Sequence, residues 1–268
     1  LKDGVLPNEQ KQSIYFLKKA IKRAISKKIF VKSIVSVSKN DLNFFRNYFK
    51  DDVEFLIFPL NERSSNRKLP FLVDIFNNAI PYLEDVTNQI SKFNSQYCIY
   101  TNSDINVVEY IFEFIYDQLR LDLKNIEESN KGQNNIDKFK SFVINRKDVL
   151  HGENLPNLDN ICDKSLRMHP GYDFFAFNST VLRSLEIDLI AIGNPPVGTL
   201  LLENLRYQSS IVELINSYLL TWHIGDGRKS SWHNLKDSPE ALRNLEAAKK
   251  ANIILEKRNY SICPVIEK

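Results

Sequence analysis

Short apolar runs, rich in β-branched and aromatic residues, alternate with stretches of helical spacing. That alternation limits the chain more than any other feature. Residues 30–37 (FVKSIVSV), 53–60 (VEFLIFPL) and 97–100 (YCIY) have strand length and no helical period. Between and after them, 41–49, 69–83 and 107–121 carry apolar residues at three- and four-residue spacing, the stripe of a helix packed on a core. Strand–helix–strand–helix–strand over 30–121 predicts an α/β fold with a mostly parallel central sheet and helices on both faces. The open ends of such strands are where a ligand sits.

The rest of the chain reads less evenly. A helix is expected over 12–26, and Asn40 is the expected cap of the helix at 41–49. Pro70 suits the first turn of the helix at 69–83. Strands are expected at 142–144, 172–177 and 189–192, and helices at 180–185, 197–207 and 211–220. Residues 61–68 and 127–137 read as loops. The polar stretch 145–167 reads as a connection with few core residues, and 221–234 as a loop holding Gly, His and Trp. Ser238 and Pro239 open a last helix to Lys257, with Glu240 and Glu246 facing Arg243 and Lys250. Without an internal repeat or a composition break, 1–268 is read as one domain, with 1–28 as its N-terminal helix and 236–268 as its C-terminal helix and tail.

The 268 residues carry 43% apolar and 26% charged side chains, enough for a sizeable core and too ordered a mix for disorder. Net charge is +3, too mild to point to nucleic acid. The basic residues of 18–32 suit the solvated face of an amphipathic helix. They also leave open contact with an anionic membrane or a lipid-linked acceptor. No run reaches the length of a transmembrane segment. The chain opens on Leu1, which reads as a piece of something longer, and no secretory leader is visible. Three Cys, 98, 162 and 263, lie far apart. This reads as reduced thiols and a cytoplasmic setting. With eight Gly, neither a Walker A loop nor a G-x-G-x-x-G turn is present.

Four constellations could carry chemistry. In Tyr100-Thr101-Asn102-Ser103-Asp104, a buried strand delivers a carboxylate at its C-terminal end. A hard cation on a phosphate wants such an oxygen, although an Asp there also starts turns. His169-Pro170-Gly171 is a tight turn before Asp173 and an aromatic strand. That acid could bind a sugar hydroxyl, act as a base, or close the turn. His223-Ile224-Gly225-Asp226-Gly227-Arg228-Lys229 is bracketed by Trp222 and Trp232. It offers a metal ligand, close backbone approach and two cations for phosphate. Arg146 and Lys147 follow the strand at 142–144, where they meet phosphate or simply water.

In this order the pieces resemble the nucleotide-sugar-dependent glycosyltransferases of the GT-A fold, over roughly residues 30–235. Asn102-Ser103-Asp104 looks like their D-x-D motif, with Asn in place of the first acid. His223-Ile224-Gly225-x-x-Arg228 is similar to the H-x-G-x-x-K loop of the retaining glycogenin and galactosyltransferase-like branch. The segments at Leu69-Pro70-x-x-x-Asp74 and His169-Pro170-Gly171-x-Asp173 look like those of bacterial members. The resemblance implies transfer of a sugar from a nucleoside diphosphate sugar to an acceptor that is a glycan, a lipid or a protein, slightly more in keeping with retention than inversion. It implies Mn²⁺ or Mg²⁺ on Asp104 and His223, and donor binding by Asn102, Asp104, Arg146, Arg228 and Lys229. Asp173 is then the catalytic residue on the acceptor side, a base if the transfer inverts and a hydroxyl-positioning group if it retains. The loop after the first strand, 37–41, would hold the base. Two alternatives stand beside this reading. A degenerate transferase-like binding domain is favoured by Asn102. A nucleotidyltransferase is disfavoured because 31–41 has neither Gly nor Arg.

Overall fold

The structure is a computed structural model that describes residues 5–52, 54–59, 70–89, 97–129, 140–149, 167–168, 171–187, 190–193, 196–216, 218–224, 238–257 and 265–267. The described strands are β1 Ser33–Val37, β2 Phe55–Pro59, β3 Tyr97–Thr101, β4 Ile105–Val107, β5 Ser141–Ile144 and β6 Lys147–Val149. They continue with β7 Arg167–Met168, β8 Phe174–Asn178, β9 Val212–Ile215, β10 Thr221–Ile224 and β11 Val265–Glu267. The described helices are α1 Asn8–Ser26, α2 Leu42–Tyr48, α3 Leu72–Gln89, α4 Ile111–Ser129, α5 Ser179–Leu182, α6 Val197–Gln208 and α7 Pro239–Lys257.

The fold is mixed α/β. β1 and β2 pair in parallel as a sheet of their own, joined through α2. A five-stranded sheet has the order β11-β9-β5-β8-β3. Its pairings are parallel from β11 to β9 and from β9 to β5, and antiparallel from β5 to β8 and from β8 to β3. A smaller sheet, β4-β10-β6-β7, is antiparallel at both ends and parallel in the middle. The expected mostly parallel sheet is therefore corrected to mixed sheets. The cause is β8: one reversed strand between β3 and β5 makes both its pairings antiparallel.

Helices cover both faces of the five-stranded sheet. Alternate residues of β5 and β8 divide between two cores, as a two-residue period requires. Phe142, Ile144, Phe174 and Ala176 join Phe16, Ala20 and Ile21 of α1, Ile111 and Ile115 of α4, and Trp222. Val143, Phe175 and Phe177 join Leu72 and Phe76 of α3, Leu200 and Leu205 of α6, and Ala248 and Ala251 of α7. No described helix is long and apolar enough to cross a membrane.

Several local expectations change. The run 211–220 forms β9 rather than a helix. All four strand residues are buried, so the alternation that marks a half-exposed strand is missing, and periodicity cannot separate strand from helix. Glu213 sits within that strand because Lys140 reaches it at 2.8 Å. The helix expected from residue 107 starts at Ile111, and Ile105–Val107 is β4. The 145–167 connection includes β6, and 221–224 is β10. Of the expected strand at 189–192, residue 189 lies outside the described residues, and the others form one bridge, Ala191 to Phe71. That pairing draws Pro70 and Phe71 into extended backbone ahead of α3, so Pro70 stands outside the first helical turn. Ser38 replaces Asn40 as the cap. Its hydroxyl accepts from the Asp41 N–H at 3.3 Å, at the start of a short 3-10 turn leading into α2. Ser238 caps α7 as expected, accepting from the Ala241 N–H at 3.1 Å.

Candidate functional site

Two strands leave the large sheet for the small one at adjacent points. β3 passes through the 102–104 turn, closed by the Ile105 N–H on the Asn102 carbonyl at 3.3 Å, and continues as β4. β5 passes through Asn145 and Arg146 and continues as β6. The first residue of β8, Phe174, is in register with Thr101 on one side and Ile144 on the other. Asp173, one residue earlier, is therefore set between the two crossings. β10 fills the gap between β4 and β6, with His223 opposite Ile105 and Asp148. Trp222 turns the other way and is buried. This alternation fixes the side of the sheet on which His223 emerges.

The side chains form a continuous polar chain. The Tyr100 hydroxyl donates to Asn102 Oδ1 at 3.3 Å, and Asn102 Nδ2 donates to Asp173 Oδ1 at 2.8 Å. Arg146 Nη1 meets Asp173 Oδ2 at 2.8 Å, and its Nε donates to Asp148 Oδ1 at 3.2 Å. Asp148 Oδ1 lies 3.6 Å from His223 Nδ1, and His223 Nε2 lies 3.5 Å from Asp104 Oδ2. Burial grades along this chain. Arg146 and Asp173 expose 8% and 9% of their side chains, His223 20% and Asp104 40%.

The electrostatics follow from this order. Burial alone would lower the His223 pKa, but the contacts with Asp104 and then Asp148 outweigh it and raise it to about 9. His223 is thus an imidazolium between two carboxylates at neutral pH. Burial works to raise the Asp104 pKa, and contact with His223, together with the charges of His223 and Arg146, brings it below the ordinary carboxylate value. Burial, with Asp173 and Asp104 nearby, pushes the Tyr100 phenol well above its usual value, so it is a permanent donor. Cys98, the described thiol, is pushed up to about 12 by burial and is inert.

Of the residues expected from sequence, Asn102, Asp104, Arg146, Asp173 and His223 converge here. Arg146 lies inside the chain, between Asp148 and Asp173, and not at an open rim. Asn102 turns its amide to Asp173 and Tyr100. Arg228 and Lys229 lie outside the described residues, as do His169 and Pro170. Asp148 and the Tyr100 hydroxyl were not foreseen as members. The signal for Asp148 is slight: a charged triplet, Arg146-Lys147-Asp148, one residue beyond the apolar run Phe142–Ile144.

The donor set can be compared with what a divalent cation needs. Asp104 offers a partly exposed carboxylate oxygen beside His223 Nε2, and Asp148 stands on the other ring nitrogen, as carboxylates do behind metal-bound histidines. Among the described residues no cluster of three or more His, Cys, Asp or Glu forms a cation site. Asp104 and His223 supply two donor atoms, so a cation there would need its remaining oxygens from elsewhere and His223 would first have to yield its Nε2 proton. No protein-family model and no curated protein sequence matches the chain.

Proposed function

We propose that the chain is a GT-A-type glycosyltransferase that moves a sugar from a nucleoside diphosphate sugar to an acceptor. The observation that carries this reading is the meeting of Asp104, in the turn between β3 and β4, with His223, brought by β10 from far along the chain, at 3.5 Å. This occurs where strands of the large sheet end, the place α/β sheets use for ligands. Asp104 and His223 would hold Mn²⁺ or Mg²⁺, which would offset charge on the departing diphosphate. Asp148 orients the His223 ring. Arg146 keeps Asp148 and Asp173 paired and in place. Arg228 and Lys229, four to five residues beyond β10, would add cationic contacts to the diphosphate. Asp173 is the residue for an acceptor hydroxyl, as a base in an inverting transfer or a positioning group in a retaining one. Its burial means that Arg146 or Asn102 must yield before a hydroxyl reaches it.

A second reading, a degenerate transferase-like domain that binds a glycan or partner, draws on Asn102. Its amide serves Asp173 and Tyr100 where the resembled family has an acid. A panel of nucleoside diphosphates, each with and without Mn²⁺, separates the two in a thermal-shift assay. A ligand present at 100 times its dissociation constant stabilises by about 2.7 kcal/mol. The transferase reading expects at least one diphosphate to stabilise the chain in a Mn²⁺-dependent way. Stabilisation by none of them contradicts it.

A further inference from the structure

α1 carries a polar residue where its pattern calls for an apolar one. Its buried positions are Ser13, Phe16, Ala20, Ile21 and Ala24, one continuous face of the helix. Ser13 is 5% exposed. A buried hydroxyl costs stability unless it is bonded, and this one lies within reach of two carbonyls: that of Gln10, one turn back at 3.0 Å, and that of Ser103, the middle residue of the turn that delivers Asp104. From one turn back, Gln10 Nε2 donates to the Ser103 hydroxyl at 3.3 Å. One turn ahead, the Phe16 ring packs edge-to-face on Trp222, with centroids 4.9 Å apart. Trp222 immediately precedes His223. Three successive positions on one face of α1 thus touch the neighbours of both Asp104 and His223. The far half of the helix is tied elsewhere, through Lys19 to Glu109 at 3.0 Å and Arg23 to Glu113.

We infer that α1 is the positioning element of the site. Ser13 and Gln10 hold the 102–104 turn while Phe16 holds β10, and together they set the approach of Asp104 to His223. Neither Ser13 nor Gln10 contacts that pair directly; each acts through the backbone and hydroxyl of Ser103. The role of the helix is therefore geometric, and a register or docking change in α1 would open the pair. The inference rests on the proposal that Asp104 and His223 form the donor centre, but its geometric content can be read without any ligand.

The test uses the whole chain and the ring nitrogen shifts of His223 in ¹⁵N spectra at pH 7, identified by their loss in His223→Asn. Ser13→Ala is expected to displace these shifts while the rest of the spectrum stays folded. Gln10→Ala, which removes a partly exposed contact and leaves the helix face intact, is expected to displace them less. Lys19→Ala, which breaks the contact of α1 with Glu109, just ahead of α4 and away from the turn, is the control and is expected to leave them in place. His223 shifts identical to wild type in both Ser13→Ala and Gln10→Ala overturn the inference, as does an equal displacement in Lys19→Ala. If Mn²⁺ and a nucleoside diphosphate do bind the wild type, Ser13→Ala should weaken that binding by about tenfold. If they bind no form of the protein, the functional proposal fails while the ring shifts still decide the role of α1.

Discussion

Asp173 and Asp104 are both carboxylates at strand ends within one polar chain, yet Asp173 shows 9% of its side chain to solvent and Asp104 shows 40%. Asp173 has an Arg146 nitrogen and the Asn102 amide, each at 2.8 Å. Among the described residues Asp104 forms one ion pair, with His223 at 3.5 Å. The inner half is a closed, charge-paired scaffold, in which any exchange of partners exposes a buried charge. The outer half is loosely paired and wet, so a ligand can compete for it at small cost. On the proposed reading the chemistry falls to the outer pair, and the inner residues keep it aimed.

Each half makes its own predictions. Arg146→Met removes the cation shared by the buried Asp173 and the half-buried Asp148 while keeping most of the side-chain volume. Loss of one partner from such a group costs about 3–5 kcal/mol, which equilibrium urea unfolding will read. The same experiment run against pH tests His223. Its folded pKa, about 9, lies above the ordinary 6.5. Its stabilisation is therefore complete below pH 6.5 and is lost as pH rises through 9. With allowance for screening of the exposed Asp104, the loss should be ~1–3 kcal/mol, and it should be absent in His223→Asn. Asp104→Asn, at the wet end, should cost about 1 kcal/mol or less at pH 7. A cost equal to that of Arg146→Met would erase the distinction between the halves. Glu246→Gln, in a pair whose side chains are 69% and 72% exposed, should fall within ~0.5 kcal/mol of wild type and sets the floor.

The sequence exposes one half of the site better than the other. Asp104 and His223 stand in short motifs, one after an apolar strand and one two residues ahead of a glycine, and both were legible. Arg146 was legible as a basic residue after a strand, but its buried position between two acids was not. Asp148 lies in a three-residue strand too short to show a period. Its role depends on register with His223 from far along the chain, and no local pattern encodes such a pairing. The reversed direction of β8 was hidden for a similar reason. Its sequence, Phe174 to Asn178, is buried on both faces and reads the same whichever way it runs. Ser13 was read past because one serine hardly disturbs an amphipathic stripe. Its meaning comes from the carbonyl it meets.

The central claim is that the outer pair receives the donor. The direct measurement is calorimetric titration of a nucleoside diphosphate, in the presence of Mn²⁺, into the wild type and into Asp104→Asn. The expected result is Mn²⁺-dependent binding by the wild type and, in Asp104→Asn, a loss of a hundredfold or more, about 2.7 kcal/mol, with an unfolding midpoint close to that of wild type. Equal affinity in the two proteins would contradict it and would leave Asp104 a structural residue.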